Sequence, residues 1–389
     1  MPYAAPDYYQ IDELLSEEHK IIRQSIRDFV DKEIIPVIDS YAQKHEPIPG
    51  LMKKLGDIGA LGPYIPAEYG GSGLDQIAYG LIMIELERGD SAVRSAASVQ
   101  SSLVMYPIYT FGSEEQRKKY LPKLASGDMI GCFGLTEPNH GSNPNGMETT
   151  IKDIGTHYLL NGAKMWITNS PLADIAVVWA KDDTGEIRGV IVEKGMKGFT
   201  APATHNKWSL RASVTGELVF SDVIIPKENI LPNVKGLKGP LSCLNSARYG
   251  ISWGVIGAAM DCYDTALRYS LERNQFGRPI GGFQLQQKKL AEFITEITKA
   301  QLLAWRLGVL KNENRATPSQ ISMAKRNNVN MAIQIARESR QILGGMGIMG
   351  EFPMMRHAAN LESVITYEGT HDIHLLITGN DITGLNAFN

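Results

Sequence analysis

The hydrophobic period of this chain changes twice. Over roughly residues 11–126, apolar side chains recur at three- and four-residue spacing, the signature of helices with one buried face. Ser16 can cap a helix that carries Ile21, Ile22, Ile26, Phe29 and Val30, followed by Ile34 and Ile35. Residues 51–61, 76–88 and 114–124 suggest further helices, with Gly/Pro-rich breaks at 59–63 and 70–73. Over roughly residues 129–231 the runs shorten and turns punctuate them. Residues 158–160, Asn161-Gly162 and residues 164–168 read as a hairpin with a tight turn. Residues 175–180, a turn at 182–185 and residues 190–192 read as a second hairpin, and residues 217–225 supply another strand. From about Pro240 onward the helical pattern returns over longer stretches, 244–273, 284–310 and 318–343, which predicts an antiparallel bundle. The expected fold class is therefore α+β, mostly α. Residues 1–128 form an N-terminal helical domain, 129–238 a middle β-domain, and 239–389 a C-terminal helical bundle.

Length supports that division, because 389 residues exceed what one core usually holds. Hydrophobic content of 43% and charged content of 21% are those of an ordinary globular protein. A net charge of -3 gives no reason to expect nucleic acid or an anionic membrane as partner, and the short run Arg117-Lys118-Lys119 reads as a solvated face. The 3 cysteines, Cys132, Cys243 and Cys262, are widely spaced and outside any C-x-x-C or Cys/His pattern. Neither a disulfide framework nor a metal site is expected, and a reducing compartment suits the composition. The N-terminus lacks the basic and apolar regions of a signal peptide, and no run is apolar enough to span a membrane, so the expectation is a soluble cytoplasmic protein.

Five segments have side chains suited to chemistry, and each also has a plainer role. The stretch from Gly131 to Pro144 is rich in small and hydroxyl residues whose backbone N–H groups can meet a ligand, or it is simply a connection into the β-domain. It is not a G-x-G-x-x-G turn. Trp166 and Thr168 could face a flat ring system, or Trp166 could be core. Between two long helices, Arg273 and Gln275 could reach an anion or cap the preceding helix, and residues 341–345 could be an ordinary Gly-terminated helix end. Gly89 can end one helix and Asp90 cap the next, which brings Glu87 and Arg94 to one corner. Arg94 could then pair with a ligand carboxylate or with Glu87 alone. Glu368 lies between an apolar run and Gly369, where it is either a buried general base or a solvated turn residue.

Taken in order, CFGLTEPNHGS, MWITNS, SLRASVTG, NSARYGISWG, RNQFGRPI, QILGG and TYEGTHDIH resemble the acyl-CoA dehydrogenases over residues 11–388. Within that family the chain is most similar to the branch acting on glutaryl-CoA. The resemblance implies FAD as cofactor, with Phe133, Leu135, Thr136, Gly141, Ser142, Trp166, Ile167 and Thr168 on the flavin side. Arg273, Phe276, Gln284, Gln341, Gly344 and Gly345 would meet the FAD of a neighbouring subunit, and Thr370 and Asp372 would return to the flavin. That sharing implies a homotetramer built as a dimer of dimers. Ser142, Leu241, Asn245, Arg248 and Gly369 match substrate-CoA positions. Glu368 would be the catalytic base, while Arg94, Ser95, Ser98, Glu87 and Tyr367 would hold the distal carboxylate of glutaryl-CoA. The implied reaction is α,β-dehydrogenation followed by decarboxylation to crotonyl-CoA, with electrons passed to an electron-transfer flavoprotein. Asn143, Val93 and Met346 depart from the family's usual residues in the flavin loop and acyl pocket. Three other readings stand beside this one. The enzyme could stop before decarboxylation, it could act on a monocarboxylic short-chain acyl-CoA, or the chain could be a flavin-free scaffold.

Overall fold

The computed structural model of the chain describes residues 5–388. Seven α-helices come first: α1 (Glu17–Phe29), α2 (Ile35–Lys44), α3 (Leu51–Asp57), α4 (Gln76–Gly89), α5 (Ser91–Ser98), α6 (Tyr106–Phe111) and α7 (Glu114–Ala125). Seven strands follow: β1 (Gly131–Gly134), β2 (Thr150–Asp153), β3 (His157–Thr168), β4 (Ile175–Lys181), β5 (Ile187–Glu193), β6 (Phe199–Thr200) and β7 (Thr215–Pro226). The chain then enters α8 (Lys238–Glu272), the two-residue strands β8 (Asn274–Gln275) and β9 (Arg278–Pro279), α9 (Gln284–Asn312), α10 (Pro318–Ile342), α11 (Met354–Thr366) and α12 (His371–Thr383). Among the described residues, no helix is long and apolar enough to cross a membrane.

Local chemistry explains where the helices begin. The Ser16 hydroxyl accepts from the His19 amide at 3.2 Å, satisfying a donor that the first turn of α1 leaves free. Ser113 and Thr317 cap α7 and α10 in the same way, each answered by a glutamine three residues on. Residues 51–61 make a shorter helix than their pattern suggests, because α3 ends at Asp57 and the chain turns at Gly59 and Gly62.

In the middle region β1 pairs parallel with β4, and β4 pairs antiparallel with β5, as the second hairpin predicts. Strand β4 is buried on both faces, and its side chains divide by parity. Ile175, Val177 and Trp179 join the cluster shared with α6 and α7, while Ala176, Val178 and Ala180 face the other layer with Val190, Val192 and Phe220. The first hairpin is not formed. Residues 157–168 are one strand, β3, which runs between β2 and β7 with register shifts at Leu160/Gly162 and Lys164/Ile167. Gly162 therefore marks a bulge: a Cβ there would come within 2.6 Å of the Thr149 hydroxyl oxygen, so the close strand approach requires glycine.

The two helical regions share one core. Every residue of α4 from Ile77 to Gly89 is buried, including Glu85, Glu87 and Arg88. It lies against α8, whose span from Ser246 to Met260 is buried throughout. A Cβ at Gly254 of α8 would stand 2.3 Å from the Glu87 carboxylate, so this glycine leaves room for a buried charge between the helices. The corner where α4 becomes α5 is held against α8 and α11.

Candidate active site

Asp90 forms that corner. Its extended backbone ends α4, and its carboxylate accepts from the Ala92 amide at 2.7 Å, starting α5. The other carboxylate oxygen accepts from Arg356 Nη1 at 2.6 Å and Asn360 Nδ2 at 2.9 Å, which ties the corner to α11. One turn to either side stand Glu87, 0% exposed, and Arg94, 1% exposed. Arg94 Nε donates to Glu87 Oε2 at 2.7 Å, and Nη2 donates to Glu87 Oε1 at 3.3 Å and to the Tyr367 hydroxyl. Ser91 donates to Glu87 Oε1 at 2.7 Å, and the Ser95 hydroxyl lies 3.3 Å from that of Tyr367. Burial alone would loosen Arg94's proton, but the Glu87 charge and the Tyr367 contact outweigh it and raise the guanidinium's pKa. Burial pushes the Tyr367 phenol up to about 12. Arg94 Nη1 makes no hydrogen bond to any described residue. Ser98 is buried on the next turn of the same helix.

Tyr367 ends α11, and the chain turns sharply before α12. Glu368 sits in that turn with φ 53°, left-handed for a non-glycine residue, and Gly369 follows with φ 95°. Thr370 caps α12 by accepting from the Ile373 amide at 3.2 Å, while Asp372 is exposed in the first turn. Among the described residues no hydrogen bond reaches the Glu368 carboxylate, and its Oε2 is buried without a partner. Burial raises its pKa, against the pull of Arg94, Lys325 and Arg248. Arg248 Nε donates to the Glu368 carbonyl at 2.7 Å and Nη1 to Asn245 at 3.2 Å. Leu241, Asn245 and Arg248 follow one another at four- and three-residue spacing on one face of α8, leading toward this turn.

The remaining candidates form two surfaces. Phe133 and Leu135 are buried in the cluster around Trp179, so they turn little side chain outward. Thr136 is half-buried, and its carbonyl accepts from the Met165 amide at 2.9 Å, which holds the loop after β1 beside β3. Trp166 is 56% exposed with φ 63°, at the second register shift of β3, so it is not core. Ile167 is buried beneath it and Thr168 half-buried. Ser142 is exposed, and a Cβ on Gly141 would meet nothing within 4 Å. Arg273, Phe276, Gln284, Gln341, Gly344 and Gly345 are all exposed at one end of the bundle, Phe276 by 92%. Among the described residues no hydrogen bond joins them to Glu368 or to the Trp166 loop.

Three separate lengths of this chain match the family models for the acyl-CoA dehydrogenase N-terminal domain (residues 16–128), middle domain (132–223) and C-terminal domain (234–383). Short-chain specific acyl-CoA dehydrogenase of Rattus norvegicus mitochondria is 36% identical over 369 residues, 93% of this chain and 89% of its own length. The chain belongs to the acyl-CoA dehydrogenase family. A crystal structure of glutaryl-CoA dehydrogenase from Mycobacterium smegmatis superposes with a TM-score of 0.95 at 51% identity, covering 97% of this chain and 98% of that one. A second, from the same organism in complex with FADH2, gives a TM-score of 0.97 at 48% identity over 100% of both chains.

As an acyl-CoA dehydrogenase the protein is an FAD-dependent oxidoreductase, and its own residues fit that cofactor. The exposed indole at Trp166, the open backbone at Gly141 and the bare, buried oxygen of Glu368 leave polar and aromatic surface for a ring system and a substrate. Cys132, Cys243 and Cys262 are free and buried. One group of possible metal ligands, Glu137, His140 and Glu148, lies within 4.8 Å, but the Glu137 carboxylate already accepts from Lys164 Nζ at 2.7 Å and from two backbone amides.

The buried cations Lys164 and Lys325 were not among the sequence candidates. Lys164 pairs with Glu137 in the loop after β1. Lys325, on α10, lies under the Glu368 turn. A signal for Lys325 was present: it falls between Ile321 and Val329 at four-residue spacing, on the apolar face of its helix.

Proposed function

We propose that the protein is a glutaryl-CoA dehydrogenase in which Glu368 is the catalytic base and Arg94 selects the substrate's distal carboxylate. The observation that carries this reading is the Arg94–Glu87–Tyr367 cluster. A buried guanidinium with Nη1 unbonded, beside the residue that precedes Glu368, suits an anionic chain end. Against a methyl-ended chain the same donor would be desolvated without compensation. The 48% and 51% identities to the two Mycobacterium smegmatis proteins point the same way.

The chemistry then divides among the chain's own groups. Arg248, Asn245 and Leu241 line the approach for the CoA thioester along α8, with Ser142 and Gly369 at its edges. Glu368, with no hydrogen bond to its carboxylate, removes the proton from the carbon next to the thioester. Its backbone N–H polarises the thioester carbonyl and stabilises the developing enolate charge in a site that excludes water. Bound FAD supplies the acceptor for the β-hydride. Oxidation leaves the distal carboxylate vinylogous to the thioester, so CO2 can depart while the electron pair of the broken C–C bond stays on the γ-carbon and delocalises into the thioester, and protonation there gives crotonyl-CoA. Arg94, with Ser95 and Ser98, holds that carboxylate until it leaves.

The exposed set Arg273, Phe276, Gln284, Gln341, Gly344 and Gly345 supports shared FAD sites in a homotetramer, since all six lie open to solvent at one end of the bundle. Electrons leave to an electron-transfer flavoprotein, and free buried cysteines suit a cytoplasmic, reducing setting. Incubation with glutaryl-CoA and an artificial electron acceptor, followed by mass analysis, tests the reading. Crotonyl-CoA supports it, and glutaconyl-CoA removes the decarboxylation step. Turnover of butyryl-CoA alone overturns the substrate assignment.

A further inference from the structure

Lys325 stands in the apolar stripe of α10, 0% exposed, with no carboxylate bonded to it. Its ammonium instead donates to three carbonyls: Val364 at 2.8 Å, Tyr367 at 3.0 Å and Gly369 at 3.0 Å. Those carbonyls belong to the last turn of α11 and the turn that carries Glu368. Arg248, from α8, takes the carbonyl of Glu368 itself at 2.7 Å. Two cations from two helices thus bind the carbonyls of residues 364, 367, 368 and 369.

This turn needs holding. Glu368 occupies a left-handed conformation that its side chain disfavours, and such backbone persists only where its surroundings over-determine it. The tripod also anchors the Tyr367 backbone, and the Tyr367 hydroxyl meets both Arg94 and Ser95. An apolar residue at 325 would leave three buried carbonyls without a donor. A lysine with a purely packing role would have no reason to spend all its donors on either side of one glutamate.

We propose that Lys325 is a positioning residue, holding the Tyr367–Gly369 turn so that Glu368 points at the substrate's α-carbon and Tyr367 stays against Arg94. This rests on the reading of Glu368 as the base. The charged and titratable groups around Glu368 are Tyr79 from α4, Arg94 from α5, Arg248 from α8 and Lys325 from α10, with Tyr367 beside it and His371 and His374 on α12. Burial brings Lys325 down to about 7 and leaves His374 neutral, so on the acid side Lys325 is one of three cations favouring ionised Glu368.

The test is the purified holoenzyme carrying Lys325→Met, measured by flavin bleaching with glutaryl-CoA across pH. Its kcat is expected to fall about 100-fold, the loss attached to a misplacement near 1 Å, with KM little changed. Its acid limb should move to higher pH, because a cation that favours ionised Glu368 is gone. Lys325→Arg keeps the charge but replaces three rotatable donors with a planar fork. It should keep the acid limb and lose most of the rate. A Lys325→Met holoenzyme with wild-type kcat and pH profile overturns the proposal. Should that variant not accumulate with FAD bound, Lys325→Arg decides: wild-type kcat there overturns the tripod. Glu368→Gln, assayed alongside, separates the two readings. If it turns over normally, the base assignment falls; if it is inactive while Lys325→Met is normal, only the role of Lys325 falls.

Discussion

Replacing Arg94 with Gln tests the substrate assignment most sharply, because the structure predicts two separable losses. The first is to the fold. Arg94 and Glu87 are 1% and 0% exposed and share two hydrogen bonds, so the variant leaves a buried carboxylate without its guanidinium charge. Removing one partner of a buried pair costs about 3–5 kcal/mol, visible as a lower melting temperature. That loss does not depend on substrate. The second loss is confined to glutaryl-CoA, whose distal carboxylate loses a desolvated, charge-assisted partner. Truncating such a contact costs about 2–5 kcal/mol, which corresponds to a fall in kcat/KM of about 30-fold to about 5,000-fold. Butyryl-CoA has no group to lose there, and the variant spares it a bare guanidinium at the chain end.

The assay compares glutaryl-CoA and butyryl-CoA with an artificial electron acceptor, at equal concentrations of FAD-loaded enzyme measured by absorbance. The ratio of the two kcat/KM values cancels any shortfall in folded protein. It should swing toward butyryl-CoA by at least the lower bound. Equal falls for both substrates would mean that Arg94 supports the fold and nothing more, and the carboxylate-clamp reasoning would be wrong.

Glu368→Gln should cut flavin reduction by about 10²–10⁴-fold, the usual contribution of a general base, while FAD stays bound. Burial raises this carboxyl above its unfolded value, so its ionised form destabilises the fold at neutral pH; Glu368→Gln should therefore melt higher than wild type at pH 8, with the gain vanishing below the unfolded pKa of about 4.3. Wild-type kcat should accordingly rise with pH through a limb above the ordinary carboxylate range, read from initial rates. Lys164→Met strands Glu137, which its partners hold down to about 2, and should lower stability by about 3–5 kcal/mol in urea titrations; adding Glu137→Gln should recover part of it. Arg273→Ala removes an exposed side chain, so the apo-protein should melt unchanged, yet FAD retention through gel filtration should fall if a second subunit's flavin sits there.

The parts legible in the sequence were those governed by near neighbours. Capping by Ser16 and Asp90 rests on contacts within three residues, and the ends of α4, α7, α8 and α10 lie within a few residues of their patterns, save the start of α8, which reaches back to Lys238. Asn161-Gly162 misled because a bulge and a hairpin turn ask for the same residues. What separates them is Thr149, just before β2, invisible to any local window. Trp166 misled in the opposite direction: burial is the default for tryptophan in a sheet, but a left-handed backbone at the register shift turns this one outward. For Glu368 the plain reading was a solvated turn. Its half-buried setting, with Oε2 buried and the charges of Arg94, Arg248 and Lys325 brought in from α5, α8 and α10, is made by distant elements, and only the wording of seven motifs in order carried that information.

What those three cations do with their hydrogen bonds bears directly on the proposed base. Arg94 spends its own on Glu87 and Tyr367, Arg248 on the Glu368 carbonyl and Asn245, and Lys325 on the carbonyls of residues 364, 367 and 369. None donates to the Glu368 carboxylate. A direct bond from any of them would drop its pKa into the range of a salt-bridged acid and leave a weak base. Withdrawal of all three charges would let burial raise the pKa until the group stayed protonated. The arrangement avoids both extremes, because cations bound to backbone and to neighbours act on Glu368 through the field alone. The carboxylate thus keeps its lone pairs for a substrate proton. A turn in a strained conformation is needed for this, since an ordinary helical or extended backbone would not let the carbonyls of residues 367, 368 and 369 reach two different helices while the side chain between them stays free.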